Sequence, residues 1–293
     1  MTRKYWIVLS AVAYAAGCTV SSEHGEAEDV AQEEVAKTEQ MVLADQRSFV
    51  ENDYILSKEV MSKGCGYSLS FTGGHITVTR FDNNGTDGTD RWELWGAGPL
   101  RTWTFLVMQG DGNFVEYDEA YLPLWATNTD GNFFGAFASI QNDGNLVVYN
   151  GNGAPIWASN SNVGPHNNSH PCPVNTVFAH RDVQRKRIGS PLTVPYQFSE
   201  RGNDYQRWLS CANRCQDRPF CRSFNITHGG SAGTCSLFGT AFTSHRTASA
   251  NDNSGIICRF RNATDANGVE IAGQEVPENK ASDLCDNPGA RAL

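Results

Sequence analysis

A nine-residue pattern that occurs twice, 32 residues apart, constrains this 293-residue chain more than any other feature. The first copy reads QGDGNFVEY over 109–117 and the second reads QNDGNLVVY over 141–149. Every second residue is the same in both copies: Gln109, Asp111, Asn113, Val115 and Tyr117, then Gln141, Asp143, Asn145, Val147 and Tyr149. In a β-strand, residues at this spacing project from one face, and the residues between them, such as Leu146 and Val148, suit a core.

Each set of five combines the chemical groups that a sugar edge requires. A carboxylate accepts hydrogen bonds, two amides both donate and accept, and a phenol does the same. Valine offers an apolar surface to ring carbons. Downstream, the segments LWATN (124–128) and IWASN (156–160) place Trp125 and Trp157 at the same offset of 32 residues. A repeat that carries both a polar face and a tryptophan is typical of a repeat architecture.

The two motifs and the two WA[ST]N segments resemble the bulb-type, mannose-binding monocot lectins. The resemblance implies a mostly β fold over 49–163, a β-prism of three four-stranded sheets around a pseudo-threefold axis. It also implies that the Gln, Asp, Asn and Tyr of each motif bind mannose hydroxyls while the Val packs on the sugar ring. No cofactor and no metal are expected.

The third repeat that such a prism needs is degraded. Residues 70–78 read SFTGGHITV, with Thr72 in place of Asp, Gly74 in place of Asn and Val78 in place of Tyr. We therefore expect this unit to complete the prism without binding mannose, which leaves two sites. The tryptophans predicted to meet at the axis are Trp95, Trp125 and Trp157, with Trp92 and Trp103 as alternatives to the first.

The N-terminal region has the pattern of an exported protein. Arg3 and Lys4 precede a short apolar run, which predicts a signal peptide over 1–17. Ala15-Ala16-Gly17-Cys18 resembles a bacterial lipobox, although Leu is usual where Ala15 stands; the alternative is an ordinary secretory signal. Residues 18–48 are acidic and poor in large apolar groups, which predicts a disordered tether or, alternatively, a short helix over 30–44. We expect a secreted protein or a cell-surface or outer-membrane lipoprotein that contacts the membrane only through a lipid anchor at Cys18.

The region 164–260 is rich in cysteine and predicts a second, disulfide-stapled domain. It contains six of the nine cysteines: Cys172, Cys211, Cys215, Cys221, Cys235 and Cys258. Nine cysteines in an exported chain indicate an oxidising compartment. Cys211 and Cys215 lie one turn apart in a helix predicted over 205–216, and spacing alone leaves 15 pairings of the six open.

The cysteine spacing resembles the PAN/apple domain, a small α+β fold with a helix against an antiparallel sheet. The resemblance implies the pairs Cys172–Cys258, Cys211–Cys235 and Cys215–Cys221. Cys65 and Cys285 are left over: either they pair with each other, or they are free or intermolecular. Residues 261–293 are predicted to form a polar tail.

The sequence favours a binding function over catalysis. The leading hypothesis is an exported lectin for mannose-type glycans, with the PAN-like domain available for protein or glycan contact. The alternative is an adhesion module or a lectin-like toxin in which the prism is only a scaffold. No enzyme is expected, because Asp111 and Asp143 belong to separate repeats and no nucleophile elbow or phosphate loop is present. A net charge of −9 argues against nucleic-acid binding.

Overall fold

A computed structural model describes residues 46–81, 91–95, 103–131, 135–164, 171–172, 176–182, 185–187, 196–198, 203–229, 232–239, 246–248, 250–278 and 285. The predicted signal peptide, Cys18 and the tether up to residue 45 lie outside these residues. Among the described residues, no helix is both long enough and apolar enough to cross a membrane.

Three four-stranded antiparallel sheets form the first half of the described chain, which confirms the predicted mostly β fold. Each sheet takes one strand from 47–61 and three consecutive strands from further along the chain. Sheet 1 contains β1 (Arg47–Val50), β10 (Phe137–Ile140), β11 (Leu146–Tyr149) and β12 (Pro155–Ala158). Sheet 2 contains β2 (Asp53–Ile55), β7 (Thr104–Met108), β8 (Phe114–Asp118) and β9 (Pro123–Ala126). Sheet 3 contains β3 (Glu59–Met61), β4 (Tyr67–Thr72), β5 (His75–Arg80) and β6 (Arg91–Trp95).

The inner faces of the three sheets meet in one apolar core. Leu146 and Val148 are fully buried in it, as their alternation with polar residues predicts. Trp92, Trp125 and Trp157 pack against this core, and the last two meet edge to face at 5.7 Å. Each of these three tryptophans pairs with the residue at the equivalent position of the strand before it. Trp92, the predicted alternative to Trp95, is therefore the tryptophan of sheet 3 that corresponds to Trp125 and Trp157.

The second half packs one helix against an antiparallel sheet. The strands of this half are β13 (Val177–Asp182), β14 (Arg185–Arg187), β15 (Tyr196–Phe198), β16 (Ser223–Gly229), β17 (Ala232–Phe238), β18 (Arg246–Ala248), β19 (Asp252–Thr264) and β20 (Glu270–Pro277). Of these, β14 and β18 form a separate two-stranded sheet. The helix, α1 (Asp204–Gln216), is the one predicted. It begins with a capping box in which Asn203 and Gln206 each accept the other's backbone N–H at 3.0 Å. Trp208 lies on its buried face, against Phe224 of β16.

One continuous sheet joins the two halves. Strand β2 pairs with β7 on one side and with β13 on the other, so the sheet of the second half continues into sheet 2. At this junction Nδ1 of His180 lies 2.9 Å from Oδ1 of Asp53, and both side chains are buried. The predicted domains 49–163 and 164–260 therefore belong to a single compact unit over 38–293.

Four disulfides join described residues, and two of them differ from the prediction. Cys211–Cys235 and Cys215–Cys221 are the pairs that the PAN resemblance implies. The predicted pairs Cys172–Cys258 and Cys65–Cys285 are wrong: the structure joins Cys65 to Cys172 and Cys258 to Cys285.

The position of Cys172 beside β19 explains why it does not pair with Cys258. Its N–H donates to the side chain of Asn262 at 2.7 Å, whereas Cys258 lies four residues back along that strand. At about 3.3 Å per residue the separation is roughly 13 Å, which is too far for a disulfide. Cys65 lies beside Cys172 instead, in a small buried cluster with Met61 and Phe81.

The predicted polar tail is partly wrong as well. Strand β19 continues to Thr264, and β20 returns along it through Pro277. Glu275 on β20 is buried and its carboxylate accepts a hydrogen bond from Arg47 of β1 at 2.6 Å. The guanidinium of Arg47 also lies 3.9 Å from the centre of the Phe260 ring. The region after residue 260 therefore contributes an ion pair to the first strand of sheet 1.

Candidate functional site

The two motifs adopt the same backbone conformation, and it is not a continuous strand. In each, the first residue follows one strand, a three-residue loop turns the chain, and the next strand begins after the Asn. The N–H of Gln109 donates to the carbonyl of Asn113 at 2.9 Å, and that of Gln141 donates to Asn145 at 2.9 Å. Glycines at the end of the loops have φ of 92° and 88°. The prediction of one strand with five alternating side chains is therefore wrong for the first half of each motif.

Pairing across each hairpin still brings the motif residues to one face. Residues directly opposite in an antiparallel pair share a face. Gln109 faces Asn113 across the loop, and Val107 faces Val115 further along the strands. The hairpin places the Gln close to the Tyr: Nε2 of Gln109 donates to Oη of Tyr117 at 2.8 Å, and Nε2 of Gln141 donates to Oη of Tyr149 at 2.5 Å.

Each aspartate is fixed by the backbone of its own loop. Oδ1 of Asp111 accepts the N–H of Asn113 at 3.0 Å, and Oδ1 of Asp143 accepts that of Asn145 at 2.9 Å. Asp111 is exposed and Asp143 is partly exposed. Both carboxylates are therefore held in place and remain accessible to a ligand.

A chain of hydroxyl groups that the sequence reasoning missed orients each asparagine. Thr127 donates to Oδ1 of Asn113 at 3.0 Å, and Ser159 donates to Oδ1 of Asn145 at 3.0 Å. A second hydroxyl two residues on continues each chain and donates to the loop glycine carbonyl at 2.7 Å; these residues are Thr129 and Ser161. Because the amide oxygen already accepts a bond, the amide NH₂ group is the part of each asparagine that can donate to a ligand. The recurring hydroxyls of TNT and SNS, at the same offset of 32, are the signal that could have identified them.

The valine and tyrosine of each motif differ in exposure. Val115 and Val147 are 2% and 3% exposed, so each presents only a small apolar surface. The tyrosines are partly exposed and stack on a phenylalanine of the preceding strand, at 5.7 Å for Phe105–Tyr117 and 4.9 Å for Phe137–Tyr149. Burial raises the pKa of Tyr149, although the hydrogen bond from Gln141 opposes the shift. Its phenol is therefore protonated at neutral pH and can donate to a ligand.

Sheet 3 has no equivalent set of polar residues. Its turn contains two residues, Gly73 and Gly74, rather than three, so Thr72 faces His75. The shorter turn moves the register by one residue from the predicted alignment. Ile76 and Val78 consequently point into the core, and threonines at 77 and 79 take the places of the motif Val and Tyr.

The second motif is supported by residues of sheets 1 and 3. Nε2 of Gln141 lies 3.3 Å from Oε1 of Gln46, and Oδ1 of Asn142 accepts the N–H of Gly64 at 2.8 Å. The ring of Tyr67 packs directly beneath Gly144, where a Cβ would approach it to 2.5 Å. These contacts fix the loop before any ligand binds.

No protein-family model matches this sequence, and no curated protein matches it significantly. Solved structures that resemble part of the chain are lectins. The Marasmius oreades lectin is 29% identical over 39% of this chain and 90% of its own, with a TM-score of 0.32. The monocot mannose-binding lectins of Gastrodia elata are 26% identical over 40% and 94%, with a TM-score of 0.29. The mannose-specific agglutinin of snowdrop (Galanthus nivalis), complexed with methyl-α-D-mannoside, is 43% identical over 26% and 62%, with a TM-score of 0.20.

Proposed function

We propose that this chain is an exported carbohydrate-binding protein that recognises mannose-type glycans at two sites, one in sheet 2 and one in sheet 1. Gln109, Asp111, Asn113 and Tyr117 would bind sugar hydroxyls in the first site. Gln141, Asp143, Asn145 and Tyr149 would do so in the second. Val115 and Val147 would contact the sugar ring. Neither site needs a metal, a cofactor or a catalytic group.

The observation that carries this proposal is the repetition of one hydrogen-bond network at two places. Both motifs have the same loop, the same hydrogen bond between Gln and Tyr, an aspartate fixed by the loop backbone and an asparagine oriented by a hydroxyl group. A scaffold needs only the strand pairing and the core, and sheet 3 keeps both of these without the polar network. The polar residues of the two motifs are therefore best explained by a ligand with adjacent hydroxyl groups.

A single sugar bound at one such site would be held weakly. A millimolar dissociation constant corresponds to only about −4 kcal/mol. Two sites on one chain, or many chains on one surface, would raise the avidity for a branched glycan. A lipid anchor at Cys18 would supply such a surface. The second half, which we propose is PAN/apple-like, would add a protein or glycan contact.

Titration calorimetry with methyl α-D-mannoside tests the proposal. We expect two sugars per chain for the wild type, one for Asp111→Ala or Asp143→Ala, and none for the double variant. Glu270→Ala, which removes an exposed carboxylate of the second half, is the matched control and should bind two. Circular dichroism must show that each variant is folded. Unchanged binding by the double variant, or no binding by the wild type, would mean that the two motifs do not bind mannose and that the prism is only a scaffold.

A further inference from the structure

A cavity of about 410 Å³ opens beside the first motif. Gln109, Gly110 and Tyr117 form one side of it, and Glu51 and Asn52 contribute polar groups. The rest of the lining is largely aromatic: Tyr54, Phe105, Tyr121 and Tyr205. This volume lies in the range of about 300–1,000 Å³ that is typical of clefts for small ligands.

The two repeats differ in the aromatic residues that line this cavity. Tyr121 occupies the position of Gly153, because the turns that contain them have matching hydrogen bonds from Asp118 and Asn150. Tyr54 faces Val107 of β7, and its counterpart Ser48 faces Ser139 of β10. The first site therefore has aromatic rings where the second has a glycine and a serine.

Tyr121 is held in an unfavourable state. Its φ is 64°, a region in which a bulky residue is a rare exception, and the equivalent Gly153 has φ of 74°. Its hydroxyl is buried and makes no hydrogen bond within the described part of the chain. The positive φ and the buried hydroxyl group both cost free energy of folding. Two such costs at one residue that borders a cavity point to a function rather than to packing alone.

The second half of the chain contributes Tyr205 to the lining of the cavity. Tyr205 of α1 is 47% exposed and meets Tyr121 at 6.1 Å between ring centres. The buried guanidinium of Arg181 lies 4.0 Å from the centre of the Tyr205 ring and fixes its position. Burial raises the pKa of Tyr54 to about 12, although Arg181 opposes the shift, so this phenol stays neutral. A cavity with aromatic faces and a few polar groups, among them the carboxylate of Glu51, suits a ligand with both apolar and hydroxyl surfaces.

We propose that this cavity is a subsite for a second sugar residue, which makes the first site selective for oligosaccharides while the second site binds one residue. The proposal rests on the proposed function, since the first sugar would occupy the motif. The next residue of the glycan would pass beside Gln109 and Tyr117 and pack against Tyr121 and Tyr205.

The test measures each site separately. In the Asp143→Ala background only the first site remains, and in the Asp111→Ala background only the second. Each is titrated with methyl α-D-mannoside and with α1,2-, α1,3- and α1,6-linked mannobiose. We expect at least one mannobiose to bind the first site about tenfold more tightly than the monosaccharide, and no such gain at the second site.

Two further variants assign the gain to the cavity. Tyr121→Gly restores the residue of the other repeat and suits the positive φ, and Tyr205→Ala removes an exposed ring. In the Asp143→Ala background, each should bring the ratio of the two dissociation constants close to one. Equal binding of monosaccharide and mannobiose by the first site, or a gain that survives both variants, would overturn the subsite while the lectin function stands. Absence of all sugar binding would overturn both.

Discussion

Gly144 holds the loop of the second site in a conformation that side chains rarely adopt. Its φ is 88°, and a Cβ at this position would lie 2.5 Å from a ring carbon of Tyr67. Tyr67 is fully buried and donates from its hydroxyl to the carbonyl of Gly164 at 2.7 Å, so its ring cannot move away easily. The same loop contains Asp143 and leads directly into Asn145, and its shape therefore decides the geometry of the site.

Replacing Gly144 with alanine should damage both stability and binding. Gly268→Ala is the matched control, because Gly268 has φ of 81° but nothing within 4 Å of the added Cβ. The control should lose roughly 1–2 kcal/mol from backbone strain alone. Gly144→Ala should lose clearly more in denaturant unfolding and should bind one mannoside instead of two. Equal losses for the two variants would mean that the Tyr67 contact does not constrain the loop.

At this scale the sequence identifies the ligand-binding candidates better than their supports. Polar residues that recur with period two beside apolar ones are unusual enough to be recognised. Thr127 and Ser159 were missed because hydroxyl residues after a strand look like ordinary loop residues. The turn at Gly112 and Gly144 is hidden within the regular alternation of each motif, and for that reason the predicted strands are too long.

Among the secondary-structure elements, β8 carries a buried carboxylate where its counterpart β11 has a valine. Glu116 occupies the position of Val148 and accepts the N–H of Gly74, in the turn of sheet 3, at 3.0 Å. Burial raises the pKa of Glu116, although its hydrogen bonds oppose the shift. Folding therefore makes this carboxyl group harder to ionise than in the unfolded chain, and the group links sheets 2 and 3.

This raised pKa predicts that stability depends on pH. Since the folded-state pKa lies above the unfolded value, the contribution of Glu116 is fully present below the ordinary pKa of 4.5 and is lost as pH rises through the folded pKa. Glu116→Gln keeps an acceptor for Gly74 and cannot titrate. The free energy of unfolding of this variant should fall less than that of the wild type as pH rises above 4.5. Glu275, whose pKa burial also raises, titrates in both proteins and cancels in the comparison. Parallel pH profiles would contradict the assignment.

The sequence predicts some secondary-structure elements more clearly than others. Helix α1 was predicted because its apolar residues and cysteines recur at helical spacing. The hairpin of β19 and β20 is not evident from the sequence because β20 (EIAGQEVP) lacks a regular alternation of polar and apolar residues, so the turn signal at Asp265 to Gly268 does not stand out. There the Asp265 carboxylate accepts the N–H groups of Asn267 and Val269 at 2.8 and 2.9 Å.

In the whole molecule, the two halves are connected through backbone, side chains and a covalent bond. Strand β13 pairs with β2, the buried His180 and Asp53 meet across that pairing, and Cys65–Cys172 closes a separation of 107 residues. No feature of the sequence reveals this connection, because long-range strand pairing and disulfide partners depend on the tertiary fold.

Calorimetric unfolding should therefore show a single cooperative transition for the two halves. The calorimetric and van't Hoff enthalpies should agree, as expected of a two-state unit. Asp53→Ala removes the buried carboxylate that faces His180 and accepts the N–H of Val50, and it should lower this transition as a whole, with a loss of roughly 1–3 kcal/mol. Glu270→Ala is the surface control and should leave it in place. Two resolved transitions, of which only one moves in Asp53→Ala, would show that the halves unfold independently.

A crystal structure of the protein with methyl α-D-mannoside would show whether the two motifs bind sugar. We expect one pyranoside at Gln109–Tyr117 and another at Gln141–Tyr149, each bound by the Asp carboxylate, the Asn amide NH₂ group and the Tyr hydroxyl. Sheet 3 should carry none. A sugar bound elsewhere on the surface, with both motifs empty, would contradict the account.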